Sequence, residues 1–334
     1  MISAARDRHT HMEQTDQAAV AAATAGDEAA FGALVERHRR ELQVHCYRML
    51  GSLDDAEDQL QETFLRAWRR RETYAGRSTF RAWLYRIATN ACLDELARRP
   101  RKPSGGEVPW LQPYPDELLE AIPADADDPG AAAVEKETIE LAFMVAIQHL
   151  QPKARAALIL RDVLDWSAKD AAALLDTSVA SINSALQRAR ADMRAHLPEQ
   201  RLEWQPGTDP TAAERDLLAR YVDATERGDL DALAATMRAD LQFSMPPQPG
   251  LFRGREEIIG YWVSGGFGTE ALRMRCAVGR ANRQPAIGCY VISAETGRYE
   301  PMGVDVVRIA EGRIAEIITF DAHMFAPLGL PAAL

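Results

Sequence analysis

The sequence predicts a multidomain chain in which two all-α helical domains precede an α+β domain. Three observations predict it. Apolar residues recur at helical spacing within residues 16–99 and 132–197. Two proline-bearing connectors, residues 100–131 and 198–211, set these domains apart from each other and from the C-terminal third of the chain. Residues 212–334 then open with helices and continue as long strand-like runs, the order of an α+β cone built on a curved sheet. Residues 1–15 are expected to be a disordered tail.

Composition narrows the function classes. The chain has 334 residues, 47% hydrophobic and 26% charged, enough to bury two or three modest cores. No apolar run approaches a membrane span, and the N-terminal residues lack a signal-peptide core, so a soluble cytoplasmic chain with no membrane partner is expected. Cys46, Cys92, Cys276 and Cys289 are scattered without a CxxC pattern, which argues against a zinc site or a disulfide framework. His38, His45 and His149 lie singly in helical segments and are expected to be structural or exposed, not ligands. No metal, cofactor or catalytic residue is predicted.

Within the first domain, the segment 54–70 places Ala56, Leu60, Phe64 and Ala67 on one helical stripe, with Asp55, Asp58 and Glu62 along an acidic flank. The segment 79–99 repeats the pattern with Phe80, Leu84, Ile87 and Ala91. Trp83, Arg86 and Asn90 share another face of that helix: a ring, a cation and an amide. Such a face suits single-stranded DNA, where rings stack on bases and arginine meets phosphate. A solvated amphipathic helix whose Trp caps the core is the alternative for this helix taken alone. Together the two segments, and FRAWLYRIATN above all, resemble region 2 of extracytoplasmic-function (ECF) sigma factors, over roughly residues 27–101. The resemblance implies that Asp55, Asp58, Gln61 and Trp68 face the clamp of core RNA polymerase. It also implies that Arg77 and Ser78 of the preceding loop, with Trp83, Arg86 and Asn90, open the −10 element and trap a flipped base.

Charge changes sign along the chain. The net charge is −10, yet residues 64–102 hold eleven Lys/Arg against three carboxylates, whereas residues 103–149 hold one lysine against ten. A phosphate-facing surface followed by an acidic connector has this signature. The connector carries seven prolines from Pro100 to Pro129 and cannot be one helix. Trp110, Leu111 and Tyr114 lie among them and should dock somewhere, because exposed apolar side chains in a linker are costly. In related sigma factors this linker threads the polymerase cleft. WLQPYPD also resembles a signature of the subgroup with an extra C-terminal domain, so docking on that domain is a second possibility.

The second helical domain ends in a helix-turn-helix pattern: SAKDAAALL, the turn Asp176-Thr177-Ser178, then VASINSALQRARADMR. Ile182, Leu186, Ala189 and Met193 cluster on one side of the last helix, leaving a polar, Arg-bearing face opposite. That face suits a major groove. ASINSALQRAR resembles sigma region 4, and the resemblance assigns Ser181, Asn183, Ser184, Gln187 and Arg188 to the −35 element. Family members commonly carry basic residues where Asn183 and Ala185 stand. Because Asn favours adenine edges and Arg guanine, an altered −35 preference is expected at Asn183.

The last domain, with GDLDAL early and GRIAEIITFD late, resembles the SnoaL-like branch of the nuclear-transport-factor-2 (NTF2) superfamily. Such cones can enclose a pocket, and Tyr221, Met245, Trp262, Tyr290 and Asp321 are its candidate lining, with an unknown small ligand as candidate partner. Asp321 and His323 form either an acid/base pair or an exposed loop end. The favoured function is an alternative sigma factor whose partners are core polymerase and promoter DNA, regulated by intramolecular contact of its own cone or linker with the sigma core. The alternatives are a DNA-targeted enzyme acting through the cone, and a repressor that never meets polymerase.

Overall fold

The computed structural model describes residues 18–76, 78–99, 108–120, 139–196, 210–269 and 272–334. They fall into two compact units: one drawn from residues 1–100 and 150–191, the other from 101–149 and 192–334. The expected tail (1–15), Arg77 and most of both connectors lie outside the described residues.

In the first unit, side-chain caps set three long helices. Helix α1 (Glu28–Leu50) begins where Asp27 accepts the Ala30 N–H and ends at Gly51, whose φ of 75° permits the left-handed turn. Ser52 caps α2 (Leu53–Arg69) and Thr79 caps α3 (Phe80–Arg98) in the same way. Leu42, Leu60, Leu84 and Ala88 are fully buried where these helices meet. The expected stripes hold except at Phe64, which is half-buried beneath the Arg39 guanidinium, 5.2 Å from its ring centroid. His45 is buried, with Nε2 2.9 Å from the Thr89 hydroxyl, and burial first and Arg48 second push its pKa down to about 3.

Four further elements complete this unit. Pro152 opens α4 (Pro152–Leu158), which continues into a π-turn at Ile159–Val163. Its Arg155 is buried and donates to the Met49 carbonyl, and burial lowers its pKa to about 9. The Trp166 ring lies 5.4 Å from that of Tyr85 on α3. Helices α5 (Ala168–Leu174) and α6 (Val179–His196) form the helix-turn-helix, with Asp176 at φ 50° in the turn.

The second unit holds a six-stranded sheet in the order β2-β1-β6-β5-β4-β3, antiparallel except for the β1–β6 pair. Its strands are β1 (Met237–Met245), β2 (Gln248–Arg253), β3 (Met274–Ala281), β4 (Gln284–Ile292), β5 (Tyr299–Ala310) and β6 (Arg313–Asp321). Helices α7 (Ala212–Arg227), α8 (Leu230–Thr236) and α9 (Arg255–Ser264) accompany them. A capping box between Thr211 and Glu214 starts α7. Glu311 and Gly312, at φ 53° and 69°, turn β5 into β6 as the Gly signal predicts. The equivalent β3–β4 turn uses Asn282 and Arg283, at φ 55° and 58°, a pair with no Gly to signal a hairpin.

Each compact unit draws on separate stretches of the chain. An apolar helix (Leu141–Gln148) from the start of the second helical segment belongs to the sheet unit, and the helix-turn-helix belongs to the other. The linker residues also join the sheet unit. Tyr114 is fully buried; its N–H donates to Asn282 Oδ1 at 2.7 Å and its carbonyl accepts the Asn282 N–H at 2.8 Å. Asn282 Nδ2 donates to the Ile139 carbonyl at 2.6 Å, and the Leu141 N–H donates to Gln284 Oε1 at 2.8 Å. Asp116 accepts from Arg280 Nε at 3.0 Å and from the Arg283 N–H at 2.7 Å. Of the two fates expected for WLQPYPD, docking on the C-terminal domain is the one observed.

Candidate nucleic-acid interface

The end of α2, the following loop and the first turns of α3 enclose an open cleft of about 510 Å³. Trp83, Arg86, Asn90 and Ser78 line it, as do Arg66, Arg70, Thr73, Tyr74, Ala75 and Ile87. Its aromatic wall is a cluster: Trp83 lies 5.5 Å from Tyr74 and 5.4 Å from Phe80, and Tyr74 meets Phe80 edge-on at 5.6 Å. The Tyr74 hydroxyl donates to the Ser78 carbonyl at 2.8 Å, which fixes the loop across the mouth. Arg86 and Asn90 are exposed, while Trp83 is half-buried with its other side on the core. Arg66 is held by Glu62 at 2.6 Å and Asp94 at 2.7 Å, and these hydrogen bonds raise its pKa. The cleft therefore offers ring faces, fixed positive charge and an amide to an unpaired base with its phosphates.

Sequence reasoning missed Arg66, Arg70 and Tyr74. An aromatic in the otherwise polar run RRRETYAGRST was the available signal for Tyr74. The arginines had none, because their approach to Trp83 depends on how the loop closes.

On α2, Asp58 and Gln61 are exposed, but Asp55 is paired to Arg99 and Trp68 is half-buried against Phe31 at 5.1 Å with Arg71 over its other face at 4.2 Å. The four residues expected to face polymerase are thus not equally presented. On α6, Ile182, Leu186, Ala189 and Met193 are all buried, whereas Ser181, Asn183, Ser184, Gln187 and Arg188 are all exposed. Arg190, on the flank, pairs with Asp162 through two bonds of 2.9 and 2.8 Å.

Of the five candidate pocket residues of the cone, three share one apolar core and two lie apart from it. Tyr221 is in the core, with Met245 and Trp262 packed against it, and Trp262 stands edge-on to Phe243 at 5.4 Å. Tyr290 faces the opposite side of the sheet, 4.9 Å from Phe325, and donates to the Pro331 carbonyl. Asp321 is exposed, 4.0 Å from an equally exposed His323. The carboxyl that reaches toward Tyr221 is the partly buried Asp305. It accepts from Thr319 at 2.5 Å and from Tyr221 at 3.2 Å, and burial raises its pKa. An acid inside the apolar run VDVV was its signal in the sequence. Among the described residues no group of His, Cys, Asp or Glu is placed to hold a metal ion, and no helix is long and apolar enough to cross a membrane.

Sequence profiles of known families match three stretches: Sigma-70 region 2 at residues 34–102, Sigma-70 region 4 at 140–193, and the SnoaL-like domain at 218–317. The ECF RNA polymerase sigma factor SigG of Mycobacterium tuberculosis is 38% identical, covering 91% of this chain and 85% of its own. The chain belongs to the ECF sigma factors. SigJ of the same organism, another member, is 27% identical over 87% of this chain and 88% of its own. The crystal structure of Mycobacterium tuberculosis SigJ superimposes with a TM-score of 0.58 at 23% identity, covering 90% of this chain and 99% of that one, so the fold is shared. The two helical domains and the SnoaL-like α+β domain expected from the sequence are present.

Proposed function

We propose that this sigma factor binds core RNA polymerase in the cytoplasm and directs promoter-specific initiation, with its cone as a built-in regulator. The exposed flank of α2, Asp58 and Gln61 foremost, meets polymerase. The Trp83 cleft receives a base of the −10 element, and the exposed face of α6 reads the −35 duplex. The observation that carries this reading is the cleft: a ring cluster, arginines and Asn90 converge on one cavity of a size suited to a small-molecule-sized group such as a nucleobase. Flipping a base costs a few kcal/mol, and stacking returns about 1–3 kcal/mol per base.

Both proposed DNA-reading faces belong to one compact unit, which is shorter than the span between the two elements. A compact body of roughly 140 residues has a radius of gyration of about 14 Å and so spans about 40 Å. Elements at −10 and −35 are separated by roughly 25 base pairs, about 85 Å at 3.4 Å per pair. Promoter engagement therefore requires α4–α6 to leave α1–α3, breaking the Tyr85–Trp166 and Arg155–Met49 contacts. The cone holds the linker and the Leu141–Gln148 helix, so its grip restrains that rearrangement. In this reading the cone acts by binding alone, and its candidate acid/base pair, Asp321 and His323, stands exposed at the surface and not inside a pocket.

The test is transcription in vitro with purified core polymerase on genomic fragments. Start sites sharing −10 and −35 elements at constant spacing support the reading, and their absence refutes it. Asp116→Ala, which loosens the linker, should raise initiation several-fold; unchanged output would remove the regulatory part.

A further inference from the structure

The four cysteines, far apart in the sequence, lie as two pairs, and none of them lines the Trp83 cleft. Cys46 and Cys92 face each other between α1 and α3, both fully buried. Cys276 and Cys289 stand directly opposite each other on antiparallel β3 and β4.

The second pair is placed for chemistry. The Cys276 N–H donates to Glu226 Oε1 of α7 at 2.9 Å, so it points away from β4. An outward amide marks a non-hydrogen-bonded cross-strand pair, the kind whose Cα atoms lie about 4.5 Å apart with side chains closest. A disulfide needs a Cα separation of about 4.4–6.8 Å. The two strands thus hold the sulfurs where an S–S bond closes without a change of register. Cys276 is partly exposed, whereas Cys289 is 3% exposed. Cys289 Sγ lies 3.7 Å from Asp305 Oδ2, and the Cys276 hydrogen bond, burial and Asp305 together raise its pKa well above the usual thiol range. Cys276 is therefore the thiol that meets solvent, and Cys289 waits beneath it. The helical pair has no such opening.

We propose that Cys276 and Cys289 close into a reversible intrachain disulfide when the protein meets hydrogen peroxide. The Cys276 sulfur attacks one oxygen of hydrogen peroxide, the O–O bond breaks, the thiol proton goes to the departing hydroxide, and the products are a sulfenic acid and water. The Cys289 sulfur then attacks the sulfenic sulfur. The S–S bond forms as the S–O bond breaks, and the Cys289 proton passes by way of the Asp305 carboxyl to the departing oxygen, which leaves as a second water. Two thiols are oxidised and one peroxide is reduced, so atoms and electrons balance. The crosslink ties β3, an edge strand, to β4 within the hairpin whose Asn282–Arg283 turn grips Tyr114 and Asp116. Oxidation thereby stiffens the hold on the linker.

The experiment treats the full chain with hydrogen peroxide, blocks remaining thiols by alkylation, and reads intact mass and peptide map. The expected product has lost two hydrogens, contains one Cys276–Cys289 crosslink, and reverts with dithiothreitol. Alkylation of Cys276 should slow at least tenfold, and exchange of the Asn282 amide should slow several-fold. The crosslink should vanish in Cys276→Ser and persist in Cys46→Ala. Four thiols as reactive as before, a Cys46–Cys92 bridge, dimers joined between chains, or a sulfinic acid at Cys276 beside a free Cys289 would each overturn it.

Discussion

The two surfaces proposed to read DNA are built differently. The Trp83 cleft is concave, assembled from α2, a loop and α3, and its parts brace one another through ring contacts and the Tyr74–Ser78 bond. The α6 face is one side of a single helix, with Ser181, Asn183, Ser184, Gln187 and Arg188 standing in solvent. A braced cavity is organised before its ligand arrives, which suits trapping an extruded base. A row of solvated side chains adapts to base edges and sets sequence preference. Substitutions in the cleft should therefore change how much the protein opens DNA, and substitutions on α6 should change which DNA it chooses.

Trp83→Ala should have the largest effect. Losing a base–aromatic stack of about 1–3 kcal/mol predicts roughly ten- to hundredfold less open complex, with duplex binding little changed. An equal loss of both, by footprinting and mobility shift, would erase the contrast between the surfaces. Asn183→Arg should shift the preferred base at one −35 position from adenine toward guanine by about 1–3 kcal/mol. Selection of bound sequences reads this, and identical preferences would remove α6 from direct readout.

Acid should loosen the platform beneath the cleft. His45 titrates near 3 when folded and near 6.5 when unfolded, so below pH 6.5 the unfolded chain binds the extra proton. Its contribution is complete above pH 6.5 and falls by about 1.4 kcal/mol per pH unit between 6.5 and 3. Denaturation midpoints measured across that range should flatten in His45→Gln. The smallest effect is expected for Arg190→Ala, because its pair with Asp162 is solvent-exposed and worth about 0–1 kcal/mol.

Periodicity explains what could be read in advance. The buried side of α6 was legible residue by residue, because a helix fixes its own faces, and the α3 stripe was legible for the same reason. The Arg66, Arg70 and Tyr74 walls of the cleft were not, since loop closure brings them to Trp83. In the cone, Tyr221 and Tyr290 were grouped as pocket lining, but strand alternation sends Tyr290 to the opposite side from Cys289. The grip of Asn282 on Tyr114 joins residues far apart in sequence, and its turn has no glycine to announce it. Composition alone marked the linker as needing a partner, and the cone supplies one.

The most direct measurement is permanganate reactivity of −10 thymines on a promoter fragment carrying core polymerase and this protein. Unpaired thymines should appear with the native chain and disappear with Trp83→Ala while the −35 footprint persists. Thymines that stay paired with the native chain, or react equally with both proteins, would contradict base capture in the Trp83 cleft.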